Sequence, residues 1–190
     1  MKNTTIALLL GLLLLPAMLY AKNVAGIKIA ETQTLSGSSQ KLILNGSGIR
    51  KKFFVKVYIG SLYLPKPARS LEAVLKQTGP AAVHMYFLHS KVLKEKLVNG
   101  WNEGFSSNTS ASAMASLKPR IEKFNGLFRT VKKGEVIRLD YIPGKGTHVL
   151  IQGEKRGVIK GLDFWQALLR IWLGSKPADS KLKKAMLGQK

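Results

Sequence analysis

The sequence predicts an α+β protein in which an antiparallel sheet carries helices packed on one face. Alternating apolar and polar residues, which are typical of strands, occur in two separate blocks, at residues 24–64 and 134–161. Apolar residues at helical spacing fill the segment between them, from 91 to 128, and the segment after 161. Because strands and helices occur in separate blocks, and not in regular alternation, a parallel sheet is not expected.

The first block predicts a hairpin, one long strand and a short helix. In chain order these elements are residues 24–35, 40–46, 51–64 and 70–77. The glycines of residues 45–48 predict a turn, which would place Arg50 directly before the long strand. Pro65 ends that strand because proline cannot donate to a ladder. Ser70 is a good N-cap for the helix.

The rest of the chain predicts a strand, two helices, three strands and two more helices. The strand is residues 81–90, and the two helices after it are 91–105 and 114–128. The three strands lie within 134–161, and the last two helices are 162–174 and 178–188. Pro119 would kink or restart the second of the two middle helices. Turns at 143–146 and 153–157 would join the three strands into an antiparallel meander.

The first residues have the three-part pattern of a secretory signal peptide. Lys2 precedes an apolar run over 6–15, and Ala21 is the small residue at the predicted cut. We therefore predict a signal peptide over residues 1–21, a single domain over 22–190 and a periplasmic location. An uncleaved N-terminal anchor is the alternative. The sequence has no cysteine, which excludes disulfides and a lipid anchor on cysteine.

The formal net charge of +21 favours anionic partners such as phospholipid head groups. Nucleic acid is not expected as a partner, because export separates the protein from it. The basic residues are spread along the chain, so a solvated basic surface is the simplest interpretation. A second hypothesis is that the helix over 162–174, with the basic residues that follow it, docks on an anionic membrane surface.

The sequence contains no familiar catalytic or metal-binding motif. His84 and His89 lie on one predicted strand at a spacing that directs them to opposite faces, and no HExxH or carboxylate cluster accompanies them. There is no GxSxG elbow. The Gly-rich segment 144–148 lies between two strands, where a hairpin turn is expected and not a phosphate site. We therefore predict no metal, no cofactor and no catalytic residue.

Arg50 is the most informative polar residue because it comes directly before the predicted long strand. Alternate residues of a strand face opposite sides. One face would be dry and apolar, with Phe53, Val55, Val57 and Ile59. The other face would carry Arg50 and Tyr58, whose guanidinium and hydroxyl could hold a carboxylate beside apolar side chains. The alternative is structural, with Arg50 paired to a carboxylate or carbonyl and Tyr58 an ordinary strand residue.

Two segments of the sequence resemble the chalcone isomerase family. Residues 44–65 have that family's Gly-rich turn, arginine and following strand, which ends in the phrase GSLYL. Residues 164–188, FWQALLRIWLGSKPADSKLKKAMLG, resemble its bacterial, exported branch. The two segments lie far apart in the chain, and the predicted order of elements between them fits. The resemblance covers residues 24–188.

The resemblance implies an open-faced β-sandwich, in which a large antiparallel sheet carries helices over one face with the ligand cleft between. The plant enzymes of the family close a chalcone into a flavanone. They resemble one another in an arginine, a strand threonine, a helix-region tyrosine with an asparagine, and a late hydroxyl residue. Arg50 matches the arginine, Tyr58 stands at the threonine position and Ile171 near the late hydroxyl. The tyrosine region, 101–113, has no tyrosine, and Asn108 is its candidate asparagine.

Arg50 and Tyr58 together resemble the fatty-acid-binding branch of the family, in which those two side chains hold the ligand carboxylate. We therefore expect an exported, non-catalytic monomer that binds a fatty acid or a similar amphipathic carboxylate. The predicted ligand-binding residues are Arg50, Tyr58, Trp101, Phe105 and Asn108. Trp101 and Phe105, one helical turn apart, could instead pack against the sheet. Two alternatives are an isomerase of chalcone isomerase type acting on another small substrate, and a basic envelope protein whose charge is its function.

Overall fold

The computed structural model describes residues 21–189. The predicted signal peptide, residues 1–21, lies outside this range except for Ala21, which pairs with Ala30 at the start of the first strand. Within the described range, no helix combines the length and the apolar character that crossing a membrane requires.

Strands and helices follow the predicted segregated order. The strands of the described range are β1 (Ala21–Val24), β2 (Ile27–Ala30), β3 (Thr32–Thr34), β4 (Lys41–Lys52), β5 (Val55–Leu64), β6 (Ala81–Phe87), β7 (Lys91–Val92), β8 (Val131–Lys132), β9 (Val136–Ile142), β10 (Gly146–Ile151) and β11 (Glu154–Ile159). The helices are α1 (Leu71–Leu75), α2 (Lys94–Asn108), α3 (Ala111–Gly126), α4 (Leu162–Leu173) and α5 (Ser180–Met186).

One large antiparallel sheet organises the molecule. Its seven strands lie in the order β11–β10–β9–β6–β5–β4–β3, while β1–β2 and β7–β8 form separate pairs. The helices cover one face, where Tyr58 and Leu62 of β5 belong to the main core. The alternate residues Ile59 and Tyr63 face the other side and form a smaller cluster with Ile29 of β2. This arrangement confirms the predicted α+β class with helices packed on one face.

The helices begin where the sequence offers capping side chains. Ser70, Ser110 and Asp179 each accept a hydrogen bond from a backbone N–H three residues later, at the starts of α1, α3 and α5. The predicted restart at Pro119 is wrong, because α3 runs through it as one helix. Proline removes the N–H that would bond the carbonyl of Ala115, but both residues are exposed, so water can satisfy that carbonyl.

Two turns differ from the prediction for the same reason. The predicted strand 24–35 is broken by a two-residue turn at Ala25 and Gly26, and the turn placed at 153–157 lies instead at Gln152 and Gly153. All four turn residues have positive φ, the backbone that closes a two-residue hairpin loop. In each pair the first residue is not one of the usual turn formers, so the pattern was missed.

The predicted turn at residues 45–48 is also wrong. Those residues lie inside β4, which continues to Lys52. The chain turns instead at Phe53 and Phe54, so the single strand predicted over 51–64 is two strands of a hairpin. Phenylalanine is a poor turn residue, whereas the glycines upstream are good ones, and this misplaced the turn.

Moving the turn changes which residues are buried but keeps Arg50 and Tyr58 together. Phe53 is 88% and Val55 46% exposed, so the predicted dry face does not exist at this end of the strand. Arg50 and Tyr58 are direct cross-strand partners in the β4–β5 ladder. Cross-strand partners project from the same face of a sheet, so the predicted shared face is retained.

The glycines of β4 serve close packing of α5. A Cβ added to Gly46 would lie 2.8 Å from a backbone oxygen of α5, and one added to Gly48 would lie 2.5 Å from a side-chain carbon of that helix. Gly60 of β5, the cross-strand partner of Gly48, leaves space for Leu182 in the same way. We call Gly46, Gly48 and Gly60 the glycine floor. Helix α5 rests directly on it because no side chain intervenes.

Asn45 fastens α5 to the glycine floor. Its Nδ2 donates to the carbonyl oxygens of Met186 at 2.7 Å and Ala68 at 2.9 Å. Its Oδ1 accepts from the N–H of Ala68 at 2.7 Å. Asn45 occupies a β-bulge, where the register of β4 against β5 shifts, and such an irregularity frees a side chain for contacts outside the ladder.

We expect Gly46→Ala to lower the free energy of unfolding by about 1–3 kcal/mol, the usual cost of forcing an extra methyl group into a packed site. Gly126→Ala, at the end of α3, is the matched control because no atom lies within 4 Å of its added Cβ. Denaturant unfolding of the two variants and the parent measures the difference. Equal stability of all three would show that the glycine floor is not a packing requirement.

A buried ionic cluster lies on the face of the sheet away from the helices. Nε2 of His84 lies 3.2 Å from Oδ1 of Asp140, and Nη2 of Arg138 donates to Oδ2 of Asp140 at 2.6 Å. Burial lowers the pKa of His84, and the neighbouring Asp140 offsets this only in part. His84 is therefore neutral near pH 7, with Nε2–H donating to the carboxylate.

The lowered pKa of His84 gives a pH-dependent stability. The unfolded chain binds a proton at this histidine more readily than the native one, so this contribution is present above about pH 6.5 and is lost as the pH falls. We expect the parent to lose stability faster than His84→Gln between about pH 7 and pH 5, by up to about 1.4 kcal/mol per pH unit. Denaturant unfolding across that range measures both slopes. Identical slopes would contradict the assignment, since His148 and all carboxylates are shared.

Candidate functional site

A cavity of about 1310 Å³ lies between one end of the sheet and the helices. The β4–β5 hairpin and the end of β6 form one wall, and α2, α3 and the end of α4 form the other. Its apolar lining consists of Phe53, Val55, Val57, Met85, Phe87, Val92, Leu93, Leu97, Met114, Ile121, Ile171 and Ala178. A mostly apolar cavity with few polar groups is the usual form of a small-molecule site.

Arg50 supplies a half-buried cation to this cavity. Its guanidinium carbon lies 5.6 Å from the ring centroid of Tyr58. Directly beside the Arg50–Tyr58 pair, Val57 of β5 forms a β-bulge in the β4–β5 ladder. Its Nε is buried and has no hydrogen-bond partner in the described structure. No carboxylate of residues 21–189 forms a salt bridge with the guanidinium. Of the structural alternative, the pairing of Arg50 with a carboxylate therefore has no partner within the described range.

Tyr58 is fixed by a second hydrogen bond behind it. Nε1 of Trp172 donates to the Tyr58 hydroxyl oxygen at 2.8 Å, and the tyrosine is 4% exposed. Burial raises the pKa of Tyr58, and the nearby Arg50 charge offsets this only in part. The phenol therefore stays protonated at neutral pH. Since its oxygen already accepts from Trp172, its proton is left to donate to a ligand.

Trp101 continues this series of polar groups from α2. Its ring packs edge-on against Trp172, with 5.7 Å between centroids, and it lines the cavity. Its Nε1 is buried and has no hydrogen-bond partner among the described residues. A buried donor without an acceptor is costly, so this N–H is a candidate contact for a ligand oxygen.

The structure does not bring the other two predicted residues to the cavity. Phe105 is fully buried and packs between Phe124 and Phe164, with ring centroids 6.2 and 5.7 Å away. Asn108 ends α2, where its Oδ1 accepts from the N–H of Lys176 at 2.9 Å and its Nδ2 donates to the carbonyl of the same residue. Both have structural contacts that account for them in the described structure.

Several cavity residues were not identified from the sequence. Asn125 lines the cavity with a buried Oδ1 that lacks a partner, while its Nδ2 donates to Asn102 at 2.8 Å. Trp172 does not line the cavity but holds Tyr58 from behind, and no sequence pattern links these two residues. A polar face within the amphipathic helix α3 was the available signal for Asn125. Ile171, near the position of the late hydroxyl in the plant enzymes, lines the cavity as an apolar residue.

The charge around the cavity is mainly positive. Four lysines line it together with Arg50, against two carboxylates. The lysines are Lys52, Lys91, Lys96 and Lys118, and the carboxylates are Glu103 and Glu122. Such a field attracts an anionic ligand. Within residues 21–189, no group of three histidine or carboxylate side chains converges into a metal site.

Comparison with known proteins identifies a family and a similar fold. The family model described as chalcone isomerase-like matches residues 21–188. Among solved structures, a fatty-acid-binding protein of Arabidopsis thaliana is similar, with a TM-score of 0.63 and 15% sequence identity. The alignment covers 85% of this chain and 92% of that one. At this identity the similarity demonstrates a shared fold. A comparison with curated proteins finds no match.

Proposed function

Because the chain belongs to the chalcone isomerase-like family, we propose that it binds a fatty acid or a similar amphipathic carboxylate in this cavity without transforming it. The observation that carries the proposal is the unpaired Arg50 guanidinium beside a protonated Tyr58 at the wall of an apolar cavity. The fatty-acid-binding protein of similar fold supports this choice among the activities of the family.

The polar groups fit a carboxylate better than a neutral oxygen. A guanidinium can donate two parallel hydrogen bonds to the two oxygens of a carboxylate. The Tyr58 hydroxyl donates without losing its proton, and its position is held by Trp172. A cation that has no counter-ion in the described structure is stabilised when an anionic ligand arrives, so the pair favours binding of the charged form.

The apolar lining suits an alkyl chain or an apolar ring system. Met85 and Phe87 of β6 and Leu97 of α2 belong to the main core and also line the cavity, so a ligand would extend that core. Each buried CH₂ of a ligand contributes about 0.8 kcal/mol, so a medium-length alkyl chain supplies most of the affinity while the carboxylate fixes its orientation.

We expect Arg50→Ala to weaken binding of lauric acid about 30-fold or more, the worth of a hydrogen bond to a charged group. Tyr58→Phe should weaken it by less, because it removes one neutral donor. Isothermal titration with lauric acid and with lauryl alcohol measures this. Binding of the alcohol should change little in Arg50→Ala, because the alcohol lacks the anionic group.

Arg69→Ala is the matched control, since it removes the same charge from an exposed residue that does not line the cavity. If Arg50→Ala and Tyr58→Phe bind lauric acid as tightly as the parent, the site assignment is wrong. Turnover of a chalcone or an enone acid by the parent would favour the isomerase alternative, since a binding protein shows none.

We also propose that the protein is exported to the periplasm, on the basis of Lys2, the apolar run 6–15 and Ala21. Expression of the full chain in a Gram-negative host should yield a periplasmic protein whose intact mass lacks residues 1–21. An intact mass that retains them, in the membrane fraction, would support the anchor alternative and refute cleavage.

A further inference from the structure

The tip of the β4–β5 hairpin exposes aromatic side chains to solvent. Phe54 is 98% and Phe53 88% exposed, while the neighbouring Val55 and Leu93 are also exposed. Within the described range these four account for all the exposed large apolar side chains except Leu162. Two adjacent phenylalanines at a hairpin tip cannot stabilise the core, so their exposure requires another explanation.

The tip is strongly basic as well as apolar. Lys51, Lys52 and Lys56 flank the two phenylalanines in sequence, and Lys91 and Lys96 line the cavity wall opposite Lys52. All five lysines are exposed, and none has a salt bridge within residues 21–189. We call these lysines, with Phe53, Phe54, Val55 and Leu93, the tip patch. Exposed aromatics surrounded by lysines match the interface of an anionic bilayer, with an apolar layer beneath charged head groups.

The backbone of Phe53 shows that the tip sequence does not follow the usual preferences of a turn. Its φ is 55°, in the left-handed region that bulky side chains rarely adopt. Two-residue hairpin loops normally place Gly, Asn or Asp at such positions. Ala25 and Gln152 have nearly the same φ in two other two-residue loops, so what distinguishes the tip is the aromatic side chain exposed there.

The tip patch also adjoins the opening of the cavity. Phe53, Val55 and Leu93 line the cavity and are exposed at the same time, so the cavity reaches the surface at the tip patch. We infer that the tip patch docks the protein on the surface of an anionic phospholipid bilayer, with Phe53 and Phe54 in the interface. In this orientation the cavity opens towards the lipid. The α4 hypothesis for such docking is wrong, because the apolar face of that helix is buried in the core.

Vesicle binding of the full chain tests the inference. We expect binding to phosphatidylglycerol vesicles that falls as salt is added, and little binding to phosphatidylcholine vesicles. Phe54→Ser should weaken binding about tenfold, because a buried phenylalanine is lost from the interface. Leu162→Ser, at an exposed apolar residue that does not line the cavity, should bind as the parent does. All variants carry the same residues 1–20, so differences among them report the tip patch.

Phe53→Asn separates docking from folding. Asparagine suits the left-handed backbone, so this variant should unfold at higher denaturant concentration than the parent while it binds vesicles more weakly. Because the chain has no cysteine, Phe54→Cys and Leu162→Cys can each carry a single environment-sensitive fluorophore. Only the label at 54 should shift to the blue on adding phosphatidylglycerol vesicles.

Three outcomes would overturn the inference. One is that the parent does not bind phosphatidylglycerol vesicles at low salt. Another is that Phe54→Ser binds these vesicles as tightly as the parent does. The third is a parent that dimerises without lipid and becomes monomeric in Phe54→Ser, which would make the patch an interface between two copies. Failure of the proposed function is distinguishable from failure of this inference, because Phe54 does not line the cavity. Arg50→Lys tests the cavity separately, since it keeps the positive charge but loses the guanidinium geometry that donates two parallel hydrogen bonds.

Discussion

The close approach of α5 to the glycine floor is the constraint on which the rest of the site depends. No strand side chain separates them, so α5 lies directly on β4 and β5. At the N-cap of α5, Oδ2 of Asp179 accepts from the N–H of Lys51 at 2.9 Å, next to the β-bulge at Val57 of β5. That contact holds the strand where it delivers Arg50 to the cavity. A larger residue in the floor would lift the helix and loosen the strand that positions the guanidinium.

The site combines an unpaired charge with a fixed donor. The Arg50 guanidinium lies over the Tyr58 ring and has no ion pair within residues 21–189. Tyr58 is held from behind by Trp172 and kept neutral by burial. For the proposed carboxylate, the unpaired guanidinium would supply charge and the fixed hydroxyl would supply orientation. The surrounding lysines raise the local concentration of anions without specifying which one binds.

The sequence predicted the fold class and the shared face of Arg50 and Tyr58, but it misplaced the turn between them. The face survived because of a β-bulge at Val57. A two-residue loop at 53 and 54 alone would pair Arg50 with Val57, and the extra residue in β5 moves the pairing to Tyr58, which has the same parity as Arg50. The turn was misplaced because the glycines at 46 and 48 are required by the packing of a helix more than a hundred residues later in the chain. The local sequence pattern cannot reveal such a distant contact. Helical spacing placed Trp101 and Phe105 on one face of α2, but it could not say that only Trp101 reaches the cavity.

The hydrogen bond from Asn45 to Met186 joins residues 141 positions apart. Contacts of such long range close late in folding, because the entropy of the intervening loop must be overcome first. During synthesis, the strand that carries Arg50 therefore emerges long before the helix that positions it. Until residue 186 is available, the nascent chain has Arg50 but lacks the helix that holds its strand in place, so the cavity is complete only when synthesis is nearly finished.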